Sequence, residues 1–300
     1  TMNELKKKLI VCLITHPVLS AVQLAIRIMI KSIRIKLFSL KSFGSIAIIA
    51  LFLAQAVPSY AALVRLTNYD SSRQVVAYTT FEYYASGLQS RNSTYNASNQ
   101  RTGYYTYEYN AANLISKLSY YDKSGQRIGY TTYEYNASSQ PSNISMYNGS
   151  GQRTSYITYE YNTSDLLTEL SNYNGSGQRT SYITYEYNAS GLESRSSYYY
   201  TSGQLMSYDT SEYNTSGLRS RASNYNASNQ LQFRITYEYN ASGQITRLSS
   251  YNASSQLQSD MNIEYNTSGL RLKDLSYNAS GQLLAYNVYE YSVETTVATP

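Results

Sequence analysis

A glutamate followed by a tyrosine returns every 26 residues from position 82 to near the end of the chain. The glutamates are Glu82, Glu108, Glu134, Glu160, Glu186, Glu212, Glu238, Glu264 and Glu290. The tyrosine after each one never changes: Tyr83, Tyr109, Tyr135, Tyr161, Tyr187, Tyr213, Tyr239, Tyr265 and Tyr291. A second invariant tyrosine follows each of the first eight at a spacing of 12: Tyr95, Tyr121, Tyr147, Tyr173, Tyr199, Tyr225, Tyr251 and Tyr277. A fixed period of this size marks a repeat architecture, in which each unit buries its apolar face only against its neighbours.

Each unit reads as two strands and two turns. The turns are written Tyr-Asn-Ala-Ser-Gly or close variants. Asn at the first position can bond backbone two residues on, and the fourth position asks for a left-handed residue. From Gly87 to Gly281 that position is Gly, Asn, Asp or Ser, as in Gly191, Asn113, Asp165 and Ser139. Between turns, alternation assigns faces. In 153–161, Ile157, Tyr159 and Tyr161 share a drier side, and Tyr156, Thr158 and Glu160 share a wetter one.

The glutamates choose between two geometries. If one unit were a single coil of a parallel β-helix, equivalent glutamates would stack about 4.8 Å apart. Each like-charged contact would then cost on the order of 1 kcal/mol even in water. In a hairpin unit they lie two strands apart and are largely screened. Arg91, Lys117, Arg195, Arg221, Arg247 and Lys273 form a basic column that can neutralise them, interrupted by Asn143 and Glu169. The expected fold is all-β: about eight tandem 26-residue β-hairpins over 62–291, forming an elongated meander or solenoid. Leu, Ile, Val and Phe supply only 35 of the 239 residues in 62–300, a small apolar core. The 36 tyrosines of that stretch must replace it through cross-strand aromatic pairs.

The N-terminal part differs in kind. Lys31, Arg34, Lys36 and Lys41 precede an apolar stretch from Ile46 to Val57, and Pro58-Ser59-Tyr60-Ala61 ends in small residues. This is the pattern of a secretory signal, a signal-type helix over 29–61 with cleavage after Ala61. Residues 1–28 read as an upstream extension or a long basic region, and 292–300 as a C-terminal tail. An uncleaved signal segment is the only membrane attachment expected. Residues 1–61 carry a net charge of +7 and the remainder −2, so the overall +5 gives no reason to expect a nucleic-acid partner. Cys12 and His16 are the sole cysteine and histidine, and both lie in this leader. The repeat region therefore has no disulfide framework, thiolate or imidazole metal site, or His-based triad.

The phrase Tyr237-Glu238-Tyr239-Asn240-Ala241-Ser242-Gly243-Gln244 resembles the YD (RHS) repeat of bacterial surface and toxin proteins, with a weaker similarity to MORN-variant repeats. The resemblance covers about 69–291. It departs in having Asn where that family has Asp (Asp70 and Asp122 excepted) and Leu or Gln where it has Arg. It implies spiralling β-hairpin sheets, sometimes closed into a shell around a toxic domain. No cargo domain is read after Tyr291.

No catalytic constellation is visible: one carboxylate per unit in a regular column makes neither a glycosidase pair nor a calcium loop. No enzyme activity and no cofactor are expected. Asn-x-Ser/Thr occurs 14 times, mostly in turns, where it is good turn chemistry. Asn136, Asn148, Asn162, Asn174, Asn188, Asn214, Asn226, Asn240, Asn252, Asn266 and Asn278 are glycan acceptors if the source glycosylates. The tyrosine rows read first as packing. The functional expectation is a secreted structural protein of the cell surface or extracellular matrix, associating with itself end to end through free strand edges. The alternatives are an adhesin binding surface glycans through the tyrosine or Arg/Gln face, and a fragment of an RHS-type toxin shell.

Overall fold

The computed structural model describes residues 62–292; the upstream extension, the signal-type helix and tail residues 293–300 lie outside the described residues. Eighteen strands alternate eight and nine residues in length. They are β1 Leu63–Asp70, β2 Val75–Tyr83, β3 Gln89–Asn96, β4 Arg101–Tyr109, β5 Ile115–Asp122, β6 Arg127–Tyr135, β7 Pro141–Asn148, β8 Arg153–Tyr161 and β9 Leu167–Asn174. The second nine are β10 Arg179–Tyr187, β11 Glu193–Tyr200, β12 Leu205–Tyr213, β13 Arg219–Asn226, β14 Leu231–Tyr239, β15 Ile245–Asn252, β16 Leu257–Tyr265, β17 Arg271–Asn278 and β18 Leu283–Tyr291.

The turns are built as their chemistry dictates. At 162–166, Asn162 N–H donates to the Leu166 carbonyl at 2.9 Å, and Asp165 N–H to the Asn162 carbonyl at 3.0 Å. Asn162 Oδ1 accepts from Ser164 N and Leu166 N at 2.9 and 3.0 Å. Every fourth turn position is left-handed, from Arg73 at φ 62° to Gly281 at φ 74°. Seven of these positions are not glycine, among them Ser139, Ser255 and Arg73 at φ 59°, 63° and 62°.

All eighteen strands belong to one sheet. The elongated meander or solenoid expected from the repeat is overturned by one pairing. The last strand, β18, lies antiparallel against the first, β1, so the sheet closes into a β-barrel. The physical reason is in the register. β1 carries Arg65 and Tyr69, one period before Arg91 and Tyr95, so it is the second half of a unit. β18 carries Tyr286 and Glu290, the first half of a unit. Arg65 faces Glu290 and Tyr69 faces Tyr286, the same register as Lys117 facing Glu108 and Tyr121 facing Tyr104 between β5 and β4. The two halves complete one another without a turn, and the row of unpaired backbone groups on each terminal strand is satisfied.

The described residues form two compact units: 62–92, 96–98 and 259–292 in one, 93–95 and 99–258 in the other. In the second, Tyr107, Ile115, Leu118, Ile144, Ile157, Tyr159, Leu170, Ile183 and Tyr185 are buried, with Tyr107 at 0% and Ile157 at 2% exposure. In the first, Leu63, Leu66, Phe81 and Tyr289 form a cluster packed by Tyr83 and Tyr291. Beside it Arg271 and Asp274 form a buried ion pair, and the Tyr289 hydroxyl donates to Asp274 Oδ2 at 2.7 Å.

Candidate functional site

The two invariant tyrosine rows do different work because they stand on opposite faces. The tyrosine after each glutamate points to the buried face, and hydroxyls of this row donate to backbone carbonyls twenty residues back. Tyr83 donates to Leu63, Tyr135 to Ile115, Tyr161 to Pro141 and Tyr187 to Leu167, at 2.7 to 2.8 Å. Tyr213, Tyr239 and Tyr291 repeat this with Glu193, Arg219 and Arg271. Burial pushes the phenols of Tyr135 and Tyr161 up to about 12, and burial together with the nearby Tyr291 does the same to Tyr83. The same cause raises the phenols of Tyr159 and Tyr185.

The second row stands on the opposite, wetter face and meets a third row not singled out in the sequence: Tyr78, Tyr104, Tyr130, Tyr156, Tyr182, Tyr208 and Tyr286. Cross-strand partners stack ring on ring. Tyr104 meets Tyr121, Tyr130 meets Tyr147 and Tyr156 meets Tyr173, each with centroids 4.5 Å apart and planes within 6°. Tyr182–Tyr199 and Tyr208–Tyr225 follow at 4.7 and 4.9 Å. The row breaks at β14 and β16, where Arg234 faces Tyr251 and Asp260 faces Tyr277. Tyr69–Tyr286 at the seam stacks at 4.6 Å.

An arginine opens β4, β6, β8 and β10 and lies over the first ring of each hairpin. Arg101 is over Tyr104, Arg127 over Tyr130, Arg153 over Tyr156 and Arg179 over Tyr182, at 4.9, 4.9, 4.3 and 3.8 Å. Tyr121 faces Arg127 and Tyr147 faces Arg153 across the next strand pair. The result is a ladder across β4–β10 in the order arginine, tyrosine, tyrosine, arginine. Its ring faces are filled by other rings and guanidinium planes, so it offers phenol hydroxyls and N–H donors outward. Arg179 also pairs with Glu169 at 3.3 Å. Among the described residues Arg101, Arg127 and Arg153 have no carboxylate within ion-pair distance, and Arg127 and Arg153 are exposed. A shallow groove of about 810 Å³ runs beside the ladder, lined by Tyr147, Gln152, Arg153, Thr154 and Gly175. A Cβ at Gly175 would meet the Arg153 carbonyl oxygen at 2.3 Å, so the turn can lie this close only as glycine.

The glutamate column lies on this same face, nearer the other strand ends. Its members pair across the hairpin: Glu82 with Arg91 at 4.0 Å, Glu108 with Lys117 at 3.1 Å, Glu186 with Arg195 at 3.8 Å and Glu238 with Arg247 at 3.4 Å. Glu212 pairs with Arg221, and Glu290 with Arg65 across the seam at 3.9 Å. Glu134 faces Asn143, Glu160 faces Glu169 and Glu264 faces Lys273 in register, with no ion pair formed by these three glutamates among the described residues. Such exposed pairs are worth under about 1 kcal/mol each.

The turn asparagines divide into two groups. Asn136, Asn148, Asn174, Asn226, Asn240, Asn252 and Asn278 donate Nδ2 to a Gln side chain four residues on, at 2.8 to 3.3 Å. At Asn162, Asn188, Asn214 and Asn266 leucine stands in that place, and Nδ2 has no such acceptor. No three His, Cys, Asp or Glu side chains gather as metal ligands among the described residues. No described helix is long and apolar enough to cross a membrane.

No family model matches the chain. No curated protein matches it. Among solved structures it is similar to a porin-like protein from Bacteroides uniformis ATCC 8492, at 14% identity and TM-score 0.42 over 77% of this chain and 98% of that one. A porin-like protein from Bacteroides vulgatus ATCC 8482 is similar at 9% identity and TM-score 0.30, over 77% of this chain and 98% of that one. TcdB2-TccC3 without its hypervariable C-terminal region is similar at 10% identity and TM-score 0.30, over 79% of this chain and 16% of that one. At such identities the chemistry of these residues has to be read from their own geometry.

Proposed function

We propose that the chain is an exported, non-enzymatic binding scaffold of the cell surface or extracellular space, and that the tyrosine–arginine ladder of β4–β10 holds an extended polysaccharide. The observation that carries this is the ladder itself. Hydroxyl and guanidinium donors recur every two strands, roughly 9.5 Å apart, about the length of two sugars in an extended chain. They are fixed in place by stacking before any ligand arrives, so little ordering is needed on binding. Most large apolar residues are buried on the other face, and exposed ones such as Val76, Ile128 and Met206 are scattered singly; this supports a ladder working in water rather than in lipid, since a membrane barrel turns a continuous apolar band outward. The signal-like segment supports export.

The pairing of β1 with β18 occupies the two terminal edges that end-to-end filament growth would use, which weighs against that form of self-association. The test is a glycan array of neutral and acidic oligosaccharides probed with the secreted protein, followed by Arg127→Ala and Arg153→Ala. The expected result is binding that rises with oligosaccharide length and falls at least 10-fold in the double variant. A clean array, or binding unchanged in that variant, overturns the reading.

A further inference from the structure

We propose that the stacked tyrosine pairs are sites of oxidative cross-linking, and that coupling of Tyr69 to Tyr286 covalently seals the barrel. Carbon–carbon coupling of two tyrosines needs two phenols side by side and reachable by an oxidant. The outer pairs meet these conditions, with near-parallel rings in contact on a half-exposed face. The inner row does not: its hydroxyls are committed to backbone carbonyls, and burial opposes loss of the proton from Tyr83, Tyr135 and Tyr161. The described residues contain no cysteine, histidine or tryptophan, so tyrosine is the most easily oxidised aromatic there. With no disulfide available, a tyrosine bridge is the covalent staple this composition allows.

The step balances with a peroxide as oxidant, activated by a peroxidase. Each phenol gives up one electron and one proton. The two phenoxyl radicals join through the ring carbons next to oxygen, and each ring then returns the hydrogen of its joined carbon to its own oxygen. One peroxide takes the two electrons and two protons and leaves as two waters.

Within a hairpin such a bridge joins residues 17 apart, as in Tyr104 and Tyr121. At the seam it joins the two ends of the sheet, where no turn connects the strands. Tyr69 and Tyr286 stand there at 4.6 Å with planes 4° apart, flanked by Asn68 Nδ2 donating to Asn287 Oδ1 at 2.7 Å. A longer closed loop restricts the unfolded chain more, so the seam bridge stabilises most.

The test treats dilute secreted protein with hydrogen peroxide and a peroxidase, then reads dityrosine fluorescence and peptide masses. The expected result is a monomer on a denaturing gel, with linked peptides two hydrogens lighter than their sum. The Tyr69–Tyr286 link should be present and should vanish in Tyr286→Phe, which keeps the ring stack. Tyr83→Phe, on the inner face, should leave it intact. The oxidised chain should unfold at a higher temperature than the oxidised Tyr286→Phe chain. Equal yields from urea-unfolded protein, links only between molecules, or links at exposed Tyr84 and Tyr200 without the stacked pairs overturn the proposal.

Discussion

Two rows of tyrosine share one 26-residue period and one residue type, yet end in opposite settings. Tyr161 is anchored on the buried face by a hydrogen bond to the Pro141 carbonyl at 2.8 Å. Tyr173, twelve residues on, lies on the wet face stacked on Tyr156. The spacing of 12 spans a turn and a register irregularity between Glu160 and Tyr161, and this moves the second row to the other side. The lesson is that a periodic residue has no role until its face is known. The inner row replaces an aliphatic core, and the outer row builds a surface.

Alkaline titration should separate the rows with the largest effect, because many inner phenols act together. Their folded pKa values, about 12 at Tyr83, Tyr135 and Tyr161, lie above the unfolded value near 10. Stability from keeping them neutral is therefore complete below pH 10 and is lost as pH rises toward 12. Circular dichroism across that window should show cooperative unfolding accompanied by a late step of phenolate absorbance. Phenolate absorbance complete by pH 10 with the fold intact would mean that the inner phenols are not buried as described.

Single substitutions should break the symmetry next. Tyr159→Ala removes a ring at 7% exposure and should cost about 3–5 kcal/mol in urea unfolding. Tyr156→Ala, on the outer face, should cost about 0.5–1.5 kcal/mol. Oxygen deletion is sharper. Tyr161→Phe leaves the Pro141 carbonyl without its donor and should cost about 1–3 kcal/mol. Tyr159→Phe removes a buried hydroxyl that has no hydrogen-bond partner among the described residues and should be neutral or stabilising. Equal losses in the two Phe variants would show that the hydrogen bond to backbone is not what distinguishes these inner positions.

The turns offer a smaller effect. Ser255 holds φ 63° where Gly281, one period on, holds φ 74°. A left-handed L-residue costs roughly 1–2 kcal/mol, offset by the greater freedom glycine loses on folding. Ser255→Gly should therefore raise stability by about 0.5–1 kcal/mol, and Gly281→Ser should lower it by a similar amount, both read as shifts of the urea midpoint.

Much of this was legible in the sequence. Turn chemistry placed the left-handed residues, and alternation put Ile157 and Tyr159 on the dry face and Glu160 on the wet one. The closure escaped because the half unit at Tyr69-Asp70 and the half unit at the other end of the repeat are remote in the chain, and periodicity alone does not pair them. The signal was there, one period before Arg91 and Tyr95, with its complement in Tyr286 and Glu290. The outer ladder escaped for a different reason. Its third row is broken by Arg234 and Asp260, so it lacks the invariance of the other two. Only pairing registers, which depend on strand irregularities, show that Tyr104 meets Tyr121.

The smallest effect concerns the outer face alone and tests whether its charges matter. Lys117 faces Glu108 at 3.1 Å, whereas the same place one unit later is Asn143 facing Glu134. Asn143→Lys restores the column, at the loss of the bond that Ser145 Oγ donates to Asn143 Oδ1 at 3.0 Å. A cross-strand opposite-charge pair contributes roughly 0.2–1 kcal/mol. The variant should gain stability within that range at low ionic strength, and the gain should fade at high salt, where exposed charges are screened. A gain that survives salt would mean that lysine acts through its hydrocarbon stem over the neighbouring ring, as Lys117 lies over Tyr130 at 5.4 Å. No gain at any ionic strength would mean that the glutamate column is held apart by hairpin geometry alone, and that its basic partners stabilise nothing.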